Sequence, residues 1–252
     1  MATAAGREEQ IDVGKVVSRG FDVIKRNAGP YGAVALLLGG LPGFLVGLAT
    51  VNGIETANPI AMFISPLYWG AILLSLLCGS VLQAALVRSS ILDLSGRPAD
   101  VGGSLTAALA LLPALIGLTV LTSIILIVGF ILLIVPGIIF YVIFSVAVPV
   151  LVEERPGIIG SLERSVALTR GSRWQVFGVL VVYILFYMAI SMVLGVVGGV
   201  AGQQSLVAQL FVSTVIGVAG TLVFAALLAS LYVELRTVKE GATTESLAAI
   251  FE

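Results

Sequence analysis

Residues Val135–Trp174 read VPGIIFYVIFSVAVPVLVEERPGIIGSLERSVALTRGSRW. From Pro136-Gly137 the stretch stays uncharged and apolar to Val152, then turns within three residues to Glu153, Glu154 and Arg155. Such a run reads as a helix crossing hydrocarbon and emerging into water. The segment that follows, Pro156–Arg170, carries Ile158, Ile159, Leu162 and Val166 at helical spacing, with Pro156 at its start and Gly171 past its end. It reads as a short amphipathic helix lying along the bilayer surface.

The same contrast runs through the whole chain. Its 252 residues are 59% hydrophobic and 11% charged. A soluble domain carries about 25% charged residues, so this chain cannot cover itself with a polar surface. Several uncharged windows reach about 20 residues, the length that crosses the hydrocarbon core as a helix. Continuous rather than alternating apolarity excludes a transmembrane β-barrel. The expectation is an all-α polytopic membrane protein, with six transmembrane helices arranged as three hairpins and amphipathic helices on the cytoplasmic side.

The spans are expected near residues 31–51, 62–87, 106–128, 130–152, 176–199 and 208–233. Residues 1–29 form a cytoplasmic N-terminal segment with an interfacial helix, 30–235 the six-span domain, and 236–252 a cytoplasmic tail. In the interfacial helix, Val13, Val17, Phe21 and Ile24 line one face, and Lys15, Arg19, Asp22 and Arg26 the other. Arg19–Asp22 and Asp22–Arg26 have the spacing of ion pairs. The first 29 residues lack the form of a cleavable signal, so the first span is expected to stay as an anchor.

Gly39, Gly43 and Gly47 give the first span a smooth strip for close helix packing, and Gly195 and Gly199 do so in the fifth. Pro42 is expected to kink or locally unwind the first span. Ser75, Gly79 and Gln83 share a face of the second span, and Ser213, Gly217 and Thr221 a face of the sixth. No charge occurs in the 52 residues from Val101 to Val152, so the turn between the third and fourth spans is poorly marked. Gly129 and Pro136-Gly137 are the candidates. Span length favours a turn near Gly129, with Pro136 kinking the fourth helix; Pro149 is a further candidate kink.

Lysines and arginines number 5 before the first span, 2 between the second and third, 4 between the fourth and fifth, and 2 after the sixth, which accounts for all 13. The opposite loops hold none. That bias places both termini and both charged loops in the cytoplasm. Each hairpin is also preceded by a similar stretch: Asp12-Val13-Gly14, Asp100 to Leu105, and Gly160-Ser161-Leu162. Three parallel repeats and coincidence explain these short matches equally well.

Histidine is absent and Cys78 is the single cysteine, so neither a metal-ligand cluster nor a Ser–His nucleophile is available, and no cofactor is expected. No ionisable residue lies deep in a span, which disfavours a proton-driven pump. A net charge of -1 gives no footprint for nucleic acid. Arg155, Arg164, Arg170 and Arg173 are candidate contacts for anionic lipid headgroups, although anchoring the topology and pairing with the nearby glutamates is the favoured reading.

LLIVPGIIFYVIFSVAVPVLVEE, followed by SLERSVALTRGSRWQVFGVLVV and LYVELR, resembles the membrane-domain family of glycerophosphoryl diester phosphodiesterases. Pro136-Gly137, Pro149, Glu154, Ser165, Leu168-Thr169, Gly171, Arg173-Trp174, Tyr232 and Leu235-Arg236 carry the likeness, over residues 130–240. The resemblance implies a six-span protein of the bacterial inner membrane. In full-length relatives the activity resides in a separate soluble barrel with histidine and acidic metal ligands, which this chain lacks. The membrane module alone is therefore implied.

Two functional readings follow. One is a non-enzymatic structural or regulatory module that binds anionic lipid. The other is a transporter or lipid-handling permease for a neutral or amphipathic substrate, which a central cavity would favour and tight packing would disfavour. Membrane lipids are the expected partners, and a homo-oligomer or a partner membrane protein are further candidates.

Overall fold

The computed structural model describes residues 11–55, 64–202 and 206–241, with side-chain surroundings left out for 51–55, 197–202 and 206. Helix α1 (Val13–Arg26) starts where the Asp12 carboxylate accepts from the backbone N–H of Lys15 at 3.2 Å. This side-chain cap satisfies one of the amides that a helix start leaves open. α1 buries Val16, Gly20 and Val23. A Cβ on Gly20 would stand 3.0 Å from a Leu227 methyl, so glycine there lets α1 lie close on the last helix.

The first span comprises α2 (Ala28–Ala35), a π-helical segment Leu36–Gly40, and α3 (Leu41–Glu55). Pro42 has no N–H, and its ring crowds the carbonyl of Leu38. The widened turn just ahead of it absorbs both defects, so the expected local unwinding takes the form of a π segment. The second span is α4 (Pro66–Leu94). The Tyr68 and Trp69 rings meet edge to face near its start, 5.8 Å apart.

Helix α5 (Val101–Ala110) starts like α1: the Asp100 carboxylate accepts from the Gly103 amide at 2.8 Å. α6 (Leu112–Leu132) and α7 (Ile134–Phe144) are separated by the extended residue Leu133 alone. The hairpin therefore turns at Leu133, between the two positions the sequence offers. Pro136 lies in the first turn of α7, where a missing N–H breaks no helical bond. It starts a helix rather than kinking one. Gly129 and Gly137 let the two arms touch, since a Cβ on Gly129 would stand 3.2 Å from the Gly137 Cα.

The kink falls at Pro149 instead. The fourth span breaks at Ser145-Val146 and resumes as α8 (Ala147–Glu153), because Pro149 has no N–H for the Ser145 carbonyl. The Ile143 carbonyl, left at the break, accepts from the Ser165 hydroxyl at 2.7 Å in a buried setting.

Ser165 belongs to α9 (Gly157–Thr169). Arg155 (φ 52) and Gly157 (φ 82) make the left-handed reversal that leads into this helix. Its buried face is Ser161, Leu162, Ser165, Leu168 and Thr169, while Ile159 is 67% exposed. The face is thus rotated from the expected Ile158/Ile159/Leu162/Val166 stripe. Small hydroxyl side chains let α9 approach the broken span: Ser165 donates to it, while Ser161 and Thr169 donate back to the Gly157 and Ser165 carbonyls of their own helix. α9 is consequently wedged against α6, α7 and α8 as well as α11.

The fifth and sixth spans are α10 (Arg173–Gly202) and α11 (Leu206–Glu240). Among the described residues, six helical spans are long and apolar enough to cross a membrane. No strand occurs among the described residues. The protein is therefore an all-α polytopic membrane protein, and a short helix (α1, α5 or α9) precedes each of three hairpins. One apolar cluster centres on α1, α2, α4, α10 and α11 and takes in Val142, Val150 and Leu168 of α7, α8 and α9; a second joins α4 through α9. Both include α4.

Candidate intramembrane site

At one end of the spans the charges interlock. Glu234 is 4% exposed and accepts from Lys15 Nζ at 2.8 Å and Arg19 Nη1 at 2.9 Å. These bonds replace the expected pairs of Arg19 and Arg26 with Asp22, because a buried carboxylate on α11 competes better than an exposed one on the same helix. Arg26 instead reaches Asp93 at the end of α4, at 2.5 Å. Ser230 donates to the Val16 carbonyl at 2.9 Å, fixing α1 to α11 a second time.

A second network gathers on α9. Arg164 pairs with Glu154 at 2.8 Å and with Glu240, and Arg236 pairs with Glu240 at 3.0 Å. The Tyr232 hydroxyl donates to Glu154 at 2.8 Å. Burial works against the Arg164 charge, but its hydrogen bonds to Glu240 and Glu154 outweigh that and raise its pKa above the ordinary value. Arg164 is thus committed to protein partners. Arg155, Arg170 and Arg173 are exposed and form no ion pair among the described residues.

Away from this end, the spans separate around a cavity of about 480 Å³. Gly39 and Gly43 of the first span, Ser75, Gly79 and Gln83 of α4, and Ser213, Gly217 and Thr221 of α11 line it. The two small-residue faces visible in the sequence therefore converge on one space. Thr119 of α6 and Tyr183 of α10 complete the wall. Neither stands out in the sequence, because Thr119 with Thr122-Ser123 and Tyr183 with Tyr187 are sparse polar groups in long apolar runs and form no small-residue face.

The cavity's polar groups fall into two kinds. The hydroxyls of Ser80, Ser213, Thr214 and Thr221 bond back to carbonyls of their own helices at 2.7–2.9 Å. Ser75, Gln83, Thr119 and Tyr183 have no hydrogen-bond partner among the described residues. A second space of about 260 Å³ shares Gln83, Thr119 and Phe224 with the first and adds Thr122, Ser123, Tyr141 and Ser145. Phe224 and Ser213 stand 10 and 21 residues before Glu234, about 15 and 32 Å along a helix. The cavity thus lies well away from the charged end. Among the described residues its lining includes no Asp, Glu, Lys or Arg, so it suits an uncharged ligand with hydroxyl or carbonyl groups.

The glycine strips play unequal parts. A Cβ on Gly39 would stand 3.0 Å from Leu82, and one on Gly47 2.6 Å from Leu210, so both sit at close helix contacts. Gly43 has nothing within 4 Å and faces the cavity. Gly195 is likewise open, so it packs no helix; the lipid-facing side of α10 needs no small residue there. The surroundings of Gly199 lie outside the described residues.

No curated protein and no solved structure matches the chain. Its family is shown by a match over residues 33–237, from the first span through the Arg236 network: the chain belongs to the family described as "Domain of unknown function (DUF7847)".

Proposed function

We propose that the protein is a non-enzymatic permease or carrier that takes a neutral, hydroxyl-bearing amphipathic molecule into the cavity between its spans. The observation that carries this reading is the convergence of Ser75, Gln83, Thr119 and Tyr183, without protein hydrogen-bond partners, on one space inside the apolar domain. These half-buried groups open onto the cavity and are free to bond a ligand or ordered water there. The setting proposed is the bacterial inner membrane with both termini cytoplasmic, supported by the lysine and arginine bias of the loops. Kinship with the membrane domain of glycerophosphoryl diester phosphodiesterases is proposed as well. Glu154, Ser165, Tyr232 and Arg236, which carry that likeness, hold the charged end together through their side chains.

Monoolein, an uncharged lipid with two hydroxyls, is a suitable probe. It is expected to raise the Tm of the purified protein. Gly43→Phe, placed where nothing stands within 4 Å, and Gln83→Leu are expected to fold normally and lose the shift. A full shift retained by Gly43→Phe would move the ligand out of the cavity. A second reading, a structural or regulatory module, is favoured by the unpaired arginines Arg155, Arg170 and Arg173. It becomes the better one if filling the cavity changes nothing.

A further inference from the structure

Between the broken fourth span and the start of α10 runs an apolar groove of about 420 Å³. Its walls include Ile138 and Val142 of α7, and Trp174 and Phe177 of α10, with Arg173 as its one charged lining residue. Trp174 is 82% exposed, and its ring meets Phe177 edge to face at 6.1 Å. An exposed indole beside a cation at the start of a span is the arrangement found at the headgroup level of a bilayer. Arg173 has no ion-pair partner among the described residues, whereas Arg164 of α9 is held by two carboxylates. Arg170, three residues before Arg173, is also exposed and unpaired.

We infer that this groove is a site for one anionic phospholipid, with an acyl chain along α7 and α10 and the phosphate on the Arg173 guanidinium. Charge complementarity selects this occupant: a planar guanidinium binds phosphate through paired N–H donors, and a second cation nearby favours a headgroup with net negative charge. Apart from the Arg173 guanidinium and the Trp174 indole N–H, the lining is aliphatic and aromatic and suits an acyl chain. The site is separate from the cavity between the spans, and it requires no transport activity.

Native mass spectrometry of the full chain, titrated with palmitoyl-oleoyl phosphatidylglycerol or the matching phosphatidylethanolamine, tests the inference. One phosphatidylglycerol adduct is expected at the lowest lipid ratios, ahead of phosphatidylethanolamine. Arg173→Gln is expected to weaken that adduct about fivefold, the effect of one basic residue at a phosphate. Arg155→Gln removes an equal charge outside the groove and is expected to leave the adduct unchanged. Ile138→Trp fills the groove while keeping every charge, and is expected to lose the adduct with Tm preserved. Equal weakening by Arg155→Gln and Arg173→Gln would reduce the effect to general surface charge and overturn the site. Wild-type binding by Arg173→Gln or by folded Ile138→Trp would overturn it as well.

Discussion

At Glu234 a carboxylate 4% exposed accepts from Lys15 and Arg19, which lie 219 and 215 residues earlier in the chain. Glu234→Gln keeps the shape but withdraws the charge from two cations whose side chains are 43% exposed. Water recovers part of that loss, so the cost is about 1–2 kcal/mol rather than the 3–5 of breaking a fully buried pair. Thermal unfolding in detergent should show a lower Tm for Glu234→Gln. Lys15→Gln should lower it less, because Arg19 stays on the carboxylate. The charges themselves were plain in the sequence, and so was their gathering at helix ends. Their partners were not, because spacing along one helix reports neighbours three or four residues away. Asp22 therefore looked like the partner that Glu234 is.

The broken fourth span shows what a proline does at the scale of an element. Pro136 and Pro149 are thirteen residues apart in one apolar run, yet only the second interrupts a helix. The difference is position: the first turn needs no N–H, and the middle does. Sequence alone could not separate them, because the turn at Leu133 has no polar residue to mark it. Ser165→Ala leaves the buried Ile143 carbonyl without its hydroxyl donor and should cost about 1–3 kcal/mol. In a Pro149→Ala background the helix can close over the break and return a backbone amide to that carbonyl. The cost of Ser165→Ala should then shrink, and a double-mutant cycle of unfolding free energies measures the coupling. Additive costs would mean that the hydroxyl and the proline act apart. The rotation of α9 has the same origin: Ser165 faces the carbonyl that needs a donor, a need invisible in the helix's own periodicity.

Across the whole molecule, the six-span architecture was legible from composition and run length, since nothing but a bilayer accommodates that much continuous apolar surface. The two halves of the cavity were legible as faces, Ser75/Gly79/Gln83 and Ser213/Gly217/Thr221. That they meet was not, because it depends on how α4 and α11 pack. Orientation can be checked by cysteine labelling in a Cys78→Ser background. Pro98→Cys, in the charged loop, should react with an impermeant maleimide only after inner-face access is opened. Leu133→Cys, at the opposite turn, should react in intact cells. The reverse pattern would invert the proposed topology. The ion-pair networks also bear on the order in which the protein is made. α11 supplies Tyr232, Glu234 and Glu240, which close contacts with α1, Glu154 at the end of α8, and α9. Until that last span leaves the ribosome, Lys15 and Arg19 lack the carboxylate that later holds them, and of the ion pairs in these networks only Arg26–Asp93 and Arg164–Glu154 fasten the charged end. A chain that stops before Tyr232 therefore leaves Lys15 and Arg19 without Glu234, and Arg164 without Glu240.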